Sequence, residues 1–339
     1  MSAVRLSWMA LALLAACDGN PFTTVTTPVV PPVETIGSVS ELSGTTNPTA
    51  GASIARSEVK NEGPGGVTVN GNGYAEGIHY DATKDTFTVD NLAFDGGNVY
   101  QRDANVPTLG PAKVYAASST YADSQTGASI DQFSYRALYG VSKTGKTNFA
   151  IVRTGAYIPY GFGGFVYNRS GSVTLPTSGQ AKYTGDYAGI RDFDGHGGLE
   201  YTTGDMTVAI DFNDFNADES ATGNGAGVYG YVENRKVYDM NGNDITSLVI
   251  GQTNTDLSPD VAITSLPTLN FTVGPGALDN NGEAQQGVTS TVGTSVYESG
   301  EYYAVLAGTN SSEVVGIIVV TSTSGTATAR ETGGFILYR

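Results

Sequence analysis

The chain is short of the residues that build cofactor, metal and hydrolytic sites. Its 339 residues include one cysteine (Cys17), two histidines (His79 and His196) and one tryptophan (Trp8). A lone cysteine excludes an internal disulfide and any multi-cysteine metal centre. Hydrolytic triads use histidine as the base, so only two side chains qualify. No Gly-x-Ser-x-Gly elbow accompanies either, and the expectation is a protein with no catalytic residue. Positive charge is scarce as well: 17 Lys and Arg face 33 Asp and Glu, for a net charge of −16. Such a surface excludes nucleic acid and anionic membrane as partners. It suits basic proteins or divalent cations. Helix signals are missing too, since no stretch of about twelve residues carries a 3.6-residue apolar period.

What the chain has in quantity is strand and turn formers, with 45 Gly and 20 Tyr among abundant Thr, Ser and Val. That composition predicts an all-β protein, long enough for two cored domains. The first residues have secretory-signal character: Arg5, an apolar run over 6–14, then Ala15 and Ala16 before Cys17. The run is too short to remain as a membrane span. Leu14-Ala15-Ala16-Cys17 matches the bacterial lipobox, in which the cysteine is lipidated and becomes the mature N-terminus. Cys17 is therefore the expected lipidation site and the membrane its first partner. Two or three acyl chains, at about 0.8 kcal/mol per buried methylene, anchor stably. Loss of residues 1–16 removes only Arg5 and lowers the net charge from −16 to −17.

Residues 17–57 hold prolines and threonines without periodicity, including Pro28, Pro31 and Pro32, and read as a flexible tether. From residue 58 alternating runs begin, giving a β-rich handle domain over 58–178. Within it, Phe133–Tyr139 and Asn148–Arg153 bracket Ser142–Lys146 as a hairpin. The most aromatic stretch, Tyr157–Tyr167, suits core or interface packing. Leu175–Gly179 reads as a linker. Beyond it, Met206, Val208, Ile210 and Phe212 share one strand face, as do Leu269, Phe271 and Val273, and Tyr302, Ala304 and Leu306. Glu313–Val320 is apolar on both faces, the mark of a strand covered on both sides. About eight strands at meander spacing predict an antiparallel β-barrel over 179–339.

Several residues of this second part resemble a known family. Gly179-Gln-Ala181-Lys-Tyr183-Thr-Gly185-Asp-Tyr187-Ala-Gly189 resembles the first strand of the transferrin-binding protein B barrel domain. Ile210-Asp211-Phe212 resembles its next strand. Gly308-x4-Glu313-x2-Gly316 keeps the spacing of its Gly-Pro-x-Ala-x-Glu-x-x-Gly segment, with Thr309 in place of proline. Gly333-Gly334-Phe335 resembles its closing strand. The resemblance spans about 179–339 and includes one barrel where transferrin binders have two lobes. It implies a Gram-negative outer-membrane lipoprotein, on the cell surface or the periplasmic face, that captures an iron-carrier, haem-carrier or other protein. No ligand-binding residue carries over, because the family binds through variable loops. The alternative is a structural envelope lipoprotein with a self-filled barrel.

Three kinds of motif carry chemistry only if their context agrees. Gly140-x4-Gly145-Lys146-Thr147 fits the phosphate-loop pattern, but a strand follows it where a phosphate site needs a helix, so no nucleotide is expected. Acidic loops recur at Asp192–His196, Asp211–Glu219, Asp239–Asp244 and Asp279–Glu283. An EF-hand starting at Asp192 would need Glu at Thr203, and one at Asp239 would need it at Ile250. These loops read as turns, and no metal site is expected. His79, His196 and the tyrosines could ligate haem; no resident cofactor is assigned.

Overall fold

The computed structural model describes residues 34–35, 53–58, 61–62, 68–69, 75–90, 92–156, 161–212, 227–257, 262–274, 276–322 and 328–339. Cys17, the signal and most of the tether lie outside them. The handle contains β1 (Glu34–Thr35), β2 (Ile54–Ser57), β3 (Asn61–Glu62), β4 (Thr68–Val69), β5 (Glu76–Asp81), β6 (Thr86–Asp90) and β7 (Val99–Arg102). It continues through β8 (Thr108–Leu109), β9 (Ala112–Ala116), β10 (Thr120–Ala122), β11 (Ser129–Asp131), β12 (Tyr135–Val141), β13 (Thr147–Thr154) and β14 (Gly163–Arg169). The main handle sheet is curled and runs β1-β5-β6-β7-β9-β12-β13-β14-β2, with β8 attached to β9. All of its pairings are antiparallel. β1 and β2 fall inside the stretch read as tether, so the sheet recruits its two end strands from upstream of residue 58.

The second part is a closed antiparallel barrel of eight strands: β15 (Gln180–Asp194), β16 (Glu200–Asp211), β17 (Gly227–Tyr238), β18 (Leu269–Phe271), β19 (Glu283–Val292), β20 (Ser295–Ala307), β21 (Glu313–Ser322) and β22 (Thr328–Tyr338). β15 pairs with both β16 and β22, which closes the ring. The expected faces are in place. Met206, Val208, Ile210, Leu269, Phe271, Tyr302, Ala304 and Leu306 point into one interior cluster. Val273 departs from the pattern and is exposed, lying past the end of β18.

β21 has both faces covered because it belongs to two cores. Val314, Ile318 and Val320 join the barrel interior, whereas Val315 and Ile317 pack outward against the handle. The handle residues that meet them include Leu138, Phe149, Ile151, Phe165 and Tyr167. Phe165 and Tyr167, from the aromatic stretch, thus serve the interface between the two parts. Tyr157–Tyr160 lies outside the described residues.

One helix, α1 (Thr246–Asp256), departs from the all-strand expectation. Its apolar residues Leu248, Val249 and Ile250 are consecutive, and only Val249 and Thr253, one turn apart, are buried. That leaves no apolar stripe for a periodicity argument to detect. Its start is marked by Asp244, whose Oδ1 accepts the Thr246 N–H at 2.9 Å.

Candidate functional site

The barrel lumen is the first place to look for a ligand, and side chains fill it. Eight strands enclose a space just wide enough for that. Glycines make the filling fit. A Cβ on Gly333 would lie 2.0 Å from the Tyr187 hydroxyl oxygen, and one on Gly316 would lie 2.4 Å from Phe335 Cζ. Tyr302 and Phe271 stack face to face with ring centres 3.7 Å apart.

One end of the lumen holds a buried ionic cluster that the strand pattern gave no hint of. Arg235 on β17 donates from Nη1 to Glu298 Oε2 at 2.7 Å and from Nη2 to Glu298 Oε1 at 2.9 Å. Nη2 also reaches Glu331 Oε2 at 2.9 Å, and Nη1 reaches the Pro267 carbonyl at 2.9 Å. Ser290 Oγ donates to Glu298, and the Tyr187 hydroxyl donates to Glu331 Oε1 at 2.8 Å. Burial opposes the charge on Glu298, but Arg235 and the Ser290 hydroxyl outweigh it and hold the carboxyl below its ordinary range. Burial likewise opposes the Arg235 charge and is outweighed by Glu298 and Glu331. Both carboxylates here already have donors, and only Arg235 Nε is left without an acceptor, so the cluster is a core network with no vacant anion or cation site.

The seam between handle and barrel is equally full. Phe149 of β13 sits over Gly334, where a Cβ would lie 2.3 Å from its ring. The hairpin that carries the phosphate-loop pattern turns between β12 and β13, with Ser142 N–H on the Thr147 carbonyl at 2.9 Å. Its hydroxyls point at a carboxylate of the barrel. Ser142, Thr144 and Thr147 donate to Glu313 at 3.3, 2.8 and 3.3 Å. Glu313 is the glutamate of the Gly-x4-Glu-x2-Gly spacing and is fully buried. Arg153 spans the seam from β13 to Thr332 at 2.9 Å and pairs with Glu58 at 3.1 Å. Arg56 of β2 grips Glu283 of β19 through two 2.7 Å contacts.

The remaining sequence candidates are scattered. His79 is half-buried on β5, opposite Thr88. His196 is exposed after β15 and stacks on Phe193 at 4.3 Å. Asp192 is fully buried in an ion pair with Arg330, with Oδ1 accepting Arg330 Nε at 3.0 Å. Asp239 Oδ1 accepts the N–H groups of Asn241 and Asn243, and Asp279 Oδ1 those of Asn281 and Glu283. These carboxylates tie turns together. Among the described residues no group of three His, Cys, Asp or Glu is placed to hold a metal ion. The loop from Asn213 to Glu219 lies outside them.

The surface offers a different kind of site at the tip of the handle. Phe94 is 58% exposed, with its backbone in the left-handed region at φ 55°. Its ring lies 5.4 Å from Phe133, which stacks on Phe162 at 6.2 Å. Beside them, Tyr121 and Ile130 face each other across the β10–β11 hairpin, and both are exposed. Tyr121 reaches over Gly97, where a Cβ would lie 2.6 Å from its ring. The segments 86–101 and 114–135 around this patch carry Asp90, Asp95, Asp123 and Asp131 and no Lys or Arg. An aromatic followed by Asp95-Gly96-Gly97-Asn98 is the signal that could have located the tip. It names a loop with left-handed residues and an aromatic that no strand face claims.

No protein family and no curated protein matches the chain. Among solved structures it is similar to a double mutant of transferrin-binding protein B from Haemophilus parasuis, with TM-score 0.35 and 11% identity over 75% of this chain. It is also similar to an intact transferrin-binding protein B with N and C lobes, with TM-score 0.33 and 10% identity over 74% of this chain. A Bacteroides fragilis protein described provisionally as an outer-membrane protein has TM-score 0.24 and 12% identity, over 84% of this chain and 94% of that one. The chain spans 43% and 44% of the two transferrin-binding proteins, less than half of either.

Proposed function

We propose that this chain is a lipid-anchored envelope protein that captures a protein partner at the tip of its handle, with the filled barrel as a rigid support. Two sequence features support the anchor: the lipobox, and the placing of the sole cysteine, Cys17, at its end. The observation that carries the capture reading is Phe94, a large apolar side chain held out to solvent by a left-handed backbone. An exposed aromatic cluster on a small loop has the character of an interaction hot spot. Asp90, Asp123 and Asp131, with the absence of Lys and Arg in the surrounding segments, commit the partner to one chemistry. It is a basic protein surface that presents an apolar side chain. An iron-carrier or haem-carrier protein is the class that the sequence resemblance implies.

The filled lumen also fits the second reading, a structural envelope lipoprotein. The two readings differ only at the tip. A cationic peptide of alternating Lys and Leu serves as probe, and an all-Lys peptide as its control. Phe94→Ser and Tyr121→Ser are each expected to weaken binding of the Lys–Leu peptide tenfold or more and to leave the all-Lys peptide unaffected. Equal loss for both peptides, or none, favours the structural reading. Protease treatment of whole cells reports whether the tip faces the medium.

A further inference from the structure

The tip loop closes over a carboxyl group that has no cation. Asp95 follows Phe94 and is 4% exposed. Its Oδ1 accepts the Asn98 N–H at 3.2 Å, and its Oδ2 has no hydrogen-bond partner. The Tyr100 hydroxyl, fully buried on β7, has none either. The groups that face Asp95 are Tyr100 from β7, Tyr135 from β12 and the N–H groups of Gly97 and Asn98. Tyr135 is already committed, donating to the Ala93 carbonyl at 2.9 Å. The loop is conformationally demanding, with Phe94, Gly96, Gly97 and Asn98 all at positive φ. It is latched at both sides: Gly96 N–H donates to Gln132 Oε1 at 3.2 Å, and Phe133 N–H donates to the Phe94 carbonyl at 2.7 Å.

We propose that Asp95 makes this loop a pH-gated element: a proton on its carboxyl closes residues 93–98 and fixes Phe94, and loss of that proton loosens them. The inference rests on the tip being the capture site. An ionised carboxylate buried with no cation is poorly solvated, and the Tyr100 hydroxyl that faces it is a single neutral donor; a protonated carboxyl carries no such penalty. Burial raises the Asp95 pKa above its ordinary 3.8, and the backbone N–H groups and the Tyr100 hydroxyl offset only part of that. The sign follows. The loop is tightest below that raised value and loosens as pH climbs through it.

The test is hydrogen exchange on the full chain, read at the Gly96 and Phe133 amides, which do not bond to Asp95. After correction for intrinsic exchange, protection is expected to rise on acidification from pH 7 to pH 5, by up to tenfold for each pH unit the carboxyl is raised. Asp95→Asn keeps the acceptor, supplies a neutral donor, and is expected to show high protection at both pH values. A flat wild-type profile overturns the proposal, as does an Asp95→Asn profile that matches the wild type. Should that variant fold poorly, a carbon-13 titration of the wild-type Asp95 carboxyl decides. A midpoint at or below 3.8 overturns the gate, and a higher one supports it. None of these readings uses a partner. Equal binding of the Lys–Leu and all-Lys peptides by the wild type, with the gating profile intact, would refute capture at the tip and leave the gate standing.

Discussion

Removing Arg235 should cost the barrel more than removing its whole ionic cluster. In Arg235→Met the aliphatic stem is replaced in kind, but Glu298 and Glu331 lose the one cation that touches both. Both carboxylates are nearly fully buried. Breaking a buried pair in this way costs about 3–5 kcal/mol, because the charge left behind cannot be solvated. Replacing all the charges is different. Arg235→Met, Glu298→Leu and Glu331→Leu together, with Tyr187→Phe and Ser290→Ala to avoid orphaned hydroxyls, should lie within ~2 kcal/mol of the wild type or above it. Urea unfolding at pH 7, followed by circular dichroism, measures both variants. The pH dependence gives a second check. In the wild type Glu298 is held below 4.5, so its contribution is present above that value and fades as pH falls through the lowered one. Without Arg235 burial outweighs the Ser290 hydroxyl, and the Glu298 carboxyl is pushed up. The deficit of the single variant should then shrink as pH falls from 7 towards 5. A single variant within about 1 kcal/mol of wild type, or a deficit that acid does not narrow, refutes the argument that this charge is trapped.

Other outcomes follow from the seam and the anchor. Gly334→Val places a side chain where Phe149 sits and should destabilise the protein by about 1–3 kcal/mol, with Phe149→Ala in the same chain relieving part of the loss in a double-mutant cycle. Glu313→Leu strands the hydroxyls of Ser142, Thr144 and Thr147 and should cost about 1–3 kcal/mol by thermal unfolding. Cys17→Ser should move the protein from the membrane pellet to the soluble fraction, which fractionation and blotting would show; retention in the pellet would count against the lipid anchor.

The parts of this fold that were legible in the sequence are those whose signal is local. Alternation alone placed Met206, Val208 and Ile210 inside the barrel, and the two-faced run at Val314–Val320 foretold that β21 is covered on both sides. The pair Gly333-Gly334 has a physical reading as well. Consecutive strand residues face opposite ways, so Gly333 admits Tyr187 within the lumen while Gly334 admits Phe149 from the handle. What escaped were groups joined only by the closed ring. Arg235, Glu298 and Glu331 lie far apart in sequence, on three separate strands, and only closure of the ring brings them together. Phe94 escaped for the opposite reason: it belongs to no strand, and an isolated aromatic in a loop carries no period. The handle's margin was misplaced because Glu34–Thr35 and Ile54–Ser57 are too short for alternation to register.

If Cys17 is lipidated as proposed, the pairing of β1 with β5 sets a length scale for the anchor. A lipid at Cys17 would be joined to the sheet at Glu34, and that stretch of chain spans at most about 55–60 Å when extended. The longer leash read from sequence would have reached roughly twice as far. β1 lies at the opposite end of the strand order from β13 and β14, which pack on the barrel. A body confined to a hemisphere of that radius has an effective concentration on the order of millimolar towards anything else anchored in the same patch of membrane. At that concentration a tip contact too weak to survive in free solution would still be occupied most of the time.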